Sequence, residues 1–243
     1  MPQLHTFKMK TFATLASLAA LFQQAAANLD VVTLFAKPNA YIQEASATLV
    51  LGDIPNPITG DVALWSAIMM QNRESFLQGV TQNSPEGLGY CSSLGNKWCN
   101  FAYALINGIT DILSSGSQPK NGTPIKASPG SRVTTHYKLN SQTQMWDQNV
   151  YIDDALVSTI STSQGQHGEI FYISMECAAG TCSTTPAHSW EEVSVTLSQA
   201  DETFGQNGGW DQGATGGEMS TSDGGRTWRF TTLDVPATNI PPS

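Results

Sequence analysis

Two stretches of the chain carry side chains that could do chemistry without a metal or a nucleophilic serine. The first is "AHSWEEVSVTLSQAD" (187–201), a strand leading into a turn. Period-two alternation places Glu191, Val193, Val195 and Leu197 on one face, and Trp190, Glu192, Ser194 and Thr196 on the other. Glu192 thus stands beside a tryptophan on a polar, aromatic face, the composition of a concave binding surface, where a carboxylate can carry protons. The second is "FLQGV" (76–80), in which Phe76, Gln78 and Val80 share a face. An uncharged amide between two apolar neighbours is either a buried structural group or a hydrogen-bonding group aimed into a cleft. What shares that cleft decides between the two.

Other chemistries find no support. The chain has no G-x-S-x-G elbow, no H-E-x-x-H, no P-loop and no G-x-G-x-x-G. His136, His167 and His188 lie far apart with no ligand-like spacing, so each is expected to be structural or exposed. Cys91, Cys99, Cys177 and Cys182 form an even set, which in an oxidising compartment reads as disulfides with three possible connectivities. Their short spacings favour Cys91–Cys99 and Cys177–Cys182. A four-cysteine metal site is the rival, but neither pair has the tight C-x-x-C form. The expectation is no metal and no cofactor.

The elements that must position these residues are mostly strands. "SRVTTHYKL" (131–139) alternates with Val133, Thr135, Tyr137 and Leu139 on one side and Arg132, Thr134, His136 and Lys138 on the other. "ATLVL", "VALWSAIMM", "QNVYI", "ALVSTI", "EIFYISM" and "TWRFTTL" are further β-branched or aromatic runs, separated by turn clusters such as "GDIPNPITGD" and "GQNGGWDQGATGG". "FAYALINGITDIL" (101–113) reads as the one candidate helix, although its start also fits a strand. Many short strands without a βαβ rhythm predict an all-β sandwich.

Residues 1–27 read as a signal peptide. Lys8 and Lys10 give a basic start, "TFATLASLAALF" an apolar run, and "AAA" at 25–27 a small-residue cleavage site. That run is too short to span a bilayer. Losing those two lysines moves the formal net charge from −9 to −11, an acidic balance that repels nucleic acid and anionic membranes. The rest is expected to be one domain over 28–243, beginning with strands rather than a pro-segment and ending in a loose tail at 241–243. "NGT" at 121–123 is a glycosylation sequon, which places Asn121 at the surface of a secreted, extracellular protein. A monomer is expected.

Several segments together resemble the glutamic peptidases, the eqolisins of filamentous fungi. "LWSAIMMQNRESFLQG", from Trp65 to Gln78, is similar to their tryptophan and "LQTG" segment, "KWCNFAY" (97–103) to their aromatic strand, and "ASPGSRV" (127–133) to their "S-x-G-D" turn. "AHSWEE" (187–192) falls where their "A-E-[FW]-I-[IV]-E" strand would come. The segments occur in family order across roughly residues 60–235. The resemblance implies a concanavalin A-like β-sandwich of two curved antiparallel sheets and endopeptidase activity at acidic pH. Position by position, it makes Gln78 the catalytic glutamine, Glu192 the catalytic glutamate and Trp65 a wall of the cleft. A slip of one residue would make Glu191 the match. Departures are the missing threonine after Gln78, His188 in place of the first glutamate of the "A-E" pair, and Met69 where the family has an acid.

The mechanism so implied has Glu192 deprotonating a water that attacks a peptide carbonyl, while Gln78 donates N–H to the oxyanion. Trp65 and Trp190 would limit water in the cleft. Met69 and its apolar neighbours support a second reading, in which the same sandwich binds an apolar small molecule and promotes its cyclisation, isomerisation or dehydration. A carbohydrate-binding or -cleaving sandwich ranks last, because the chain has no E-x-D-x-E strand. The expected partner is therefore a peptide or small-molecule substrate.

Overall fold

The computed structural model describes residues 28–107 and 117–240. They form an all-β structure. The strands are β1 (Asn28–Phe35), β2 (Ile42–Val50), β3 (Gly60–Met70), β4 (Ser75–Asn83), β5 (Trp98–Asn107), β6 (Ser117–Asn121), β7 (Ile125–Ala127), β8 (Arg132–Leu139) and β9 (Trp146–Ile152). They continue with β10 (Ala155–Thr162), β11 (Gly168–Gly180), β12 (Thr184–Thr185), β13 (His188–Leu197), β14 (Gly208–Trp210), β15 (Thr215–Gly216), β16 (Ser220–Thr221), β17 (Thr227–Val235) and β18 (Thr238–Asn239).

All the pairings are antiparallel. One layer runs β6-β5-β4-β3-β11-β1 and the other β10-β9-β8-β2-β13-β17. The layers join where Gly168 of β11 meets Ile42 of β2. A Cβ on Gly168 would come within 2.9 Å of the Ile42 and Ile68 side chains, so glycine permits that close passage. Two curved sheets back to back are the sandwich that the strand pattern predicts. The segment after Ala27 forms strands, as expected. Residues 101–107 belong to β5 rather than to a helix, and the rest of that candidate helix, like the leader and the C-terminal tail, lies outside the described residues.

The core lies between the layers. From β3 it receives Val62, Leu64, Ile68 and Met70, from β11 Phe171, Ile173, Met175 and Cys177, and from β8 Val133 and Tyr137. Burial of this kind contributes about 25 cal/mol per Å² of apolar surface, so the alternating side chains hold each strand in register. Polar ties add direction. The Tyr137 hydroxyl, fully buried, donates to the Ser66 carbonyl at 2.6 Å and accepts the Gly79 N–H at 2.7 Å. Gln148 of β9 donates its amide to the carbonyls of Gln78 and Tyr103. A Cβ on Gly79 would lie 1.9 Å from Thr135 Oγ1, so only glycine lets β8 come this near to β4.

These contacts fix β3 and β4 from beneath. We expect Tyr137→Phe to lower the unfolding free energy by about 1–3 kcal/mol, since it strands a buried carbonyl and a buried N–H. Gly79→Ala should cost at least as much through overpacking against Thr135. Urea unfolding monitored by tryptophan fluorescence measures both. A neutral effect of either change would show that β8 does not support this part of the sheet.

Candidate active site

Side chains of β3, β4, β5 and β11 that do not enter the core emerge on the outer face of the first layer. There they enclose a cavity of about 220 Å³ lined by Asp61, Trp65, Gln78, Gln82, Tyr103 and Glu176, with Tyr90 and Phe101 completing its aromatic wall. Alternation explains the set. On β3, Asp61, Ala63 and Trp65 point outward while Val62 and Leu64 point in; on β11, Glu176 is opposed to Met175 and Cys177.

The cross-strand register divides the floor into rows. Tyr103, Gln78, Ala67 and Tyr172 are successive partners in one row. Phe101, Val80, Trp65 and Ser174 make the next, and Cys99, Gln82, Ala63 and Glu176 the one after. Gln82 and Glu176 therefore face each other across the small side chain of Ala63, with Cα atoms about 10 Å apart at ~4.8 Å per strand. Gln78 and Glu176 are two rows apart, roughly 16 Å between Cα atoms. An amide and a carboxylate do share the cleft, but the pair in one row is Gln82 and Glu176.

Electrostatics single out two acids. Glu176 accepts the Trp65 indole N–H at 3.0 Å, which favours its carboxylate, while burial acts more strongly and raises its pKa. Asp61, buried in the same cavity, is pushed up to about 6, mainly by burial and further by the Glu176 charge. Two buried carboxyls in one cleft, both with raised pKa values, are candidates for proton transfer in weak acid. Burial, then the Tyr90 hydrogen bond, also raises the Tyr103 pKa. Tyr90 comes from the loop after β4, which the Cys91–Cys99 disulfide fastens to β5, and its ring packs on Phe101 and Tyr103. On the floor, Trp65, Phe76 and Tyr172 meet edge to face.

The residues expected from sequence separate into two groups. Trp65 and Gln78 line the cavity; Glu192 and Trp190 do not. Glu192 has φ 51° at a bulge in β13, its side chain is 76% exposed, and it pairs with Arg132, which also binds Glu191. The extra residue shifts the alternation, so Trp190 joins Val193 in the core instead of facing outward. Glu192 lies against a separate surface hollow with Ser194 and Arg229. Met69 is on the outer face of β3 beside Phe76, beyond the cavity. Both disulfides pair as the spacing suggests, Cys91–Cys99 and Cys177–Cys182. No cluster of three metal-ligating side chains occurs among the described residues. Asn121 is exposed on β6, directly opposite Tyr103.

Asp61, Gln82 and Glu176 were missed. Their signal is a polar residue on one face of an otherwise apolar strand, as in "GDVALW" and "EIFYISMEC".

No family profile matches the chain, and no curated protein matches it by sequence. Its structure resembles scytalido-glutamic peptidase bound to a transition-state analogue inhibitor, with TM-score 0.51 and 14% identity over 84% of this chain and 98% of that one. It also resembles SCP-B, an eqolisin in complex with the tripeptide Ala-Ile-His, with TM-score 0.52 and 12% identity over 89% and 99% of the two chains. At such identity the likeness establishes the fold, a divergent form of the glutamic-peptidase β-sandwich.

Asp61 makes stability depend on pH. Its pKa is raised on folding from 3.8 to about 6, so the folded state holds the proton more tightly. The resulting stabilisation, about 3 kcal/mol, is complete below pH 3.8 and lost as the pH rises through 6. Thermal unfolding across that range should show the decline in the wild type and a flatter profile in Asp61→Asn. Parallel profiles would mean that Asp61 is not the linked group.

Proposed function

We propose that the protein is a secreted hydrolase that cleaves peptide bonds in weakly acidic solution, using Glu176 and Asp61 as its proton-transferring pair. The observation that carries this reading is that pair: two buried carboxyls with raised pKa values in one aromatic cleft, on the fold of the glutamic peptidases. Glu176, with its carboxylate turned to the Trp65 N–H, accepts a proton from the water that attacks the carbonyl carbon. Asp61, protonated below about pH 6, gives its proton to the departing amine. The amide of Gln82, across Ala63, is the neutral group in the row of Glu176 that could donate to the oxyanion, a role that needs no ionisation. Gln78 lies one row beyond Trp65 and holds an adjoining part of the substrate rather than the reacting carbonyl.

The leader at 1–27 directs export, and the two disulfides are compatible with an extracellular location. Asn121 is exposed enough to carry a glycan. The protein acts as a monomer on its substrate and without a cofactor.

The cavity, with room for about one side chain, also suits the second reading. A compact apolar metabolite would fit between Trp65, Tyr90, Phe101 and Tyr103, with the two acids promoting cyclisation, isomerisation or dehydration.

Digestion of casein between about pH 3 and pH 7 tests the first reading. Cleavage should peak below pH 6. It should fall about 10²–10⁴-fold in Glu176→Gln and stay unchanged in Glu192→Gln, whose side chain is outside the cleft. Full activity in a folded Glu176→Gln protein would dismiss the assignment. No cleavage by the wild type at any of these pH values would leave the metabolite reading.

A further inference from the structure

Among the described residues, the cavity is lined by acids and by no cation. Asp61 comes from β3, Glu176 from β11, Tyr103 from β5 and Tyr90 from the disulfide-held loop, while β4 contributes only the amides Gln78 and Gln82. No lysine, arginine or histidine lines it, and neither carboxyl takes part in a salt bridge among the described residues. Asp61 is 7% exposed, and its Oδ1, a hydrogen-bond acceptor, is buried without a partner among the described residues. Buried polar atoms without partners are few in native proteins, because each costs the hydrogen bond it had in water. Four aromatic rings surround these groups.

Carboxylates combined with aromatic faces and an amide form the environment that attracts an alkylammonium ion. The charge pairs with the acids, and the attached methylenes and N–H groups lie against the π faces. A divalent metal ion fits less well, since the rings offer it no ligand and the described residues hold no three-ligand cluster.

We propose that this cavity binds an organic ammonium, a primary amine on an aryl or alkyl body. The ammonium site does not rest on the hydrolase reading above, for an ammonium calls for Asp61 ionised and the hydrolytic step for Asp61 protonated. An ammonium seated between Asp61 and Glu176 stabilises both carboxylates, so its binding weakens as Asp61 takes up a proton below about pH 6.

The test is calorimetric titration of the secreted protein with benzylammonium chloride, and with benzyl alcohol as the uncharged isostere, at about pH 7.5 and about pH 4. The ammonium should bind about tenfold or more tightly than the alcohol at the higher pH and lose most of that preference at the lower. Asp61→Asn and Glu176→Gln should each remove it while the proteins still unfold cooperatively. The pH comparison needs no variant, so the proposal stays testable if either variant fails to fold. Equal affinity for the two compounds, affinity independent of pH, or full displacement by calcium chloride at matched ionic strength would overturn it. Binding without peptide cleavage at any pH would keep the ammonium site and remove the hydrolase reading. Cleavage without preference for the ammonium would do the reverse.

Discussion

The hydroxyl of Tyr137, buried between the layers, ties the support of the cleft together. It bridges the backbones of β3 and β4 through the Ser66 carbonyl and the Gly79 N–H, and the missing side chain of Gly79 lets β8 approach closely enough for this. Gln148 adds a second prop under β4 and β5. With the inner face so fixed, the outer side chains have little freedom. Asp61 and Trp65 on β3, Gln78 and Gln82 on β4, and Tyr103 on β5 must stand in the rows that the register assigns them. The position of the acids is thus set by packing on the opposite side of the sheet, which is how a rigid scaffold preorganises charged groups.

Two titrations with opposite signs make the stability of the fold depend on pH. Asp61 stabilises the folded state when protonated, an effect lost as pH rises through about 6. His188 is buried, its Nδ1–H donates to the Pro186 carbonyl, and desolvation lowers its pKa to about 4. Its neutral form therefore favours folding above pH 6.5, a contribution lost as pH falls through about 4. Between the two values the folded protein holds Asp61 protonated and His188 neutral, and the loss of one contribution with pH offsets the gain of the other.

Much of the sandwich was legible as alternation. The inward set Val133, Thr135 and Tyr137 follows directly from "SRVTTHYKL" and is buried as a set. Alternation failed at Glu192, where a positive φ inserts an extra residue into β13 and exchanges the faces on its N-terminal side. Nothing in "SWEEVS" distinguishes that backbone event from a regular strand. The stretch 101–107 offered good helix formers, but pairing on both sides draws it into the sheet, with Phe101 and Tyr103 outward and Ala102 and Ala104 inward. The site was half legible. Trp65 and Gln78 stand in a segment with a recognisable pattern, whereas Glu176 gains its meaning from an indole 111 residues earlier in the chain. No local pattern encodes such a contact.

The smallest side chains of the cleft give its floor a relief. Ala67 and Ala63 lie two residues to either side of Trp65 on β3, in the rows of Gln78 and Glu176 respectively. The indole, 1% exposed, lies down over that low ground, meeting Phe76 and Tyr172 with its ring and Glu176 with its N–H, so it paves the cavity instead of projecting into it. A molecule entering the cavity would rest on a paving whose single polar atom is already committed to Glu176, and would find hydrogen-bonding groups at its sides instead of beneath it.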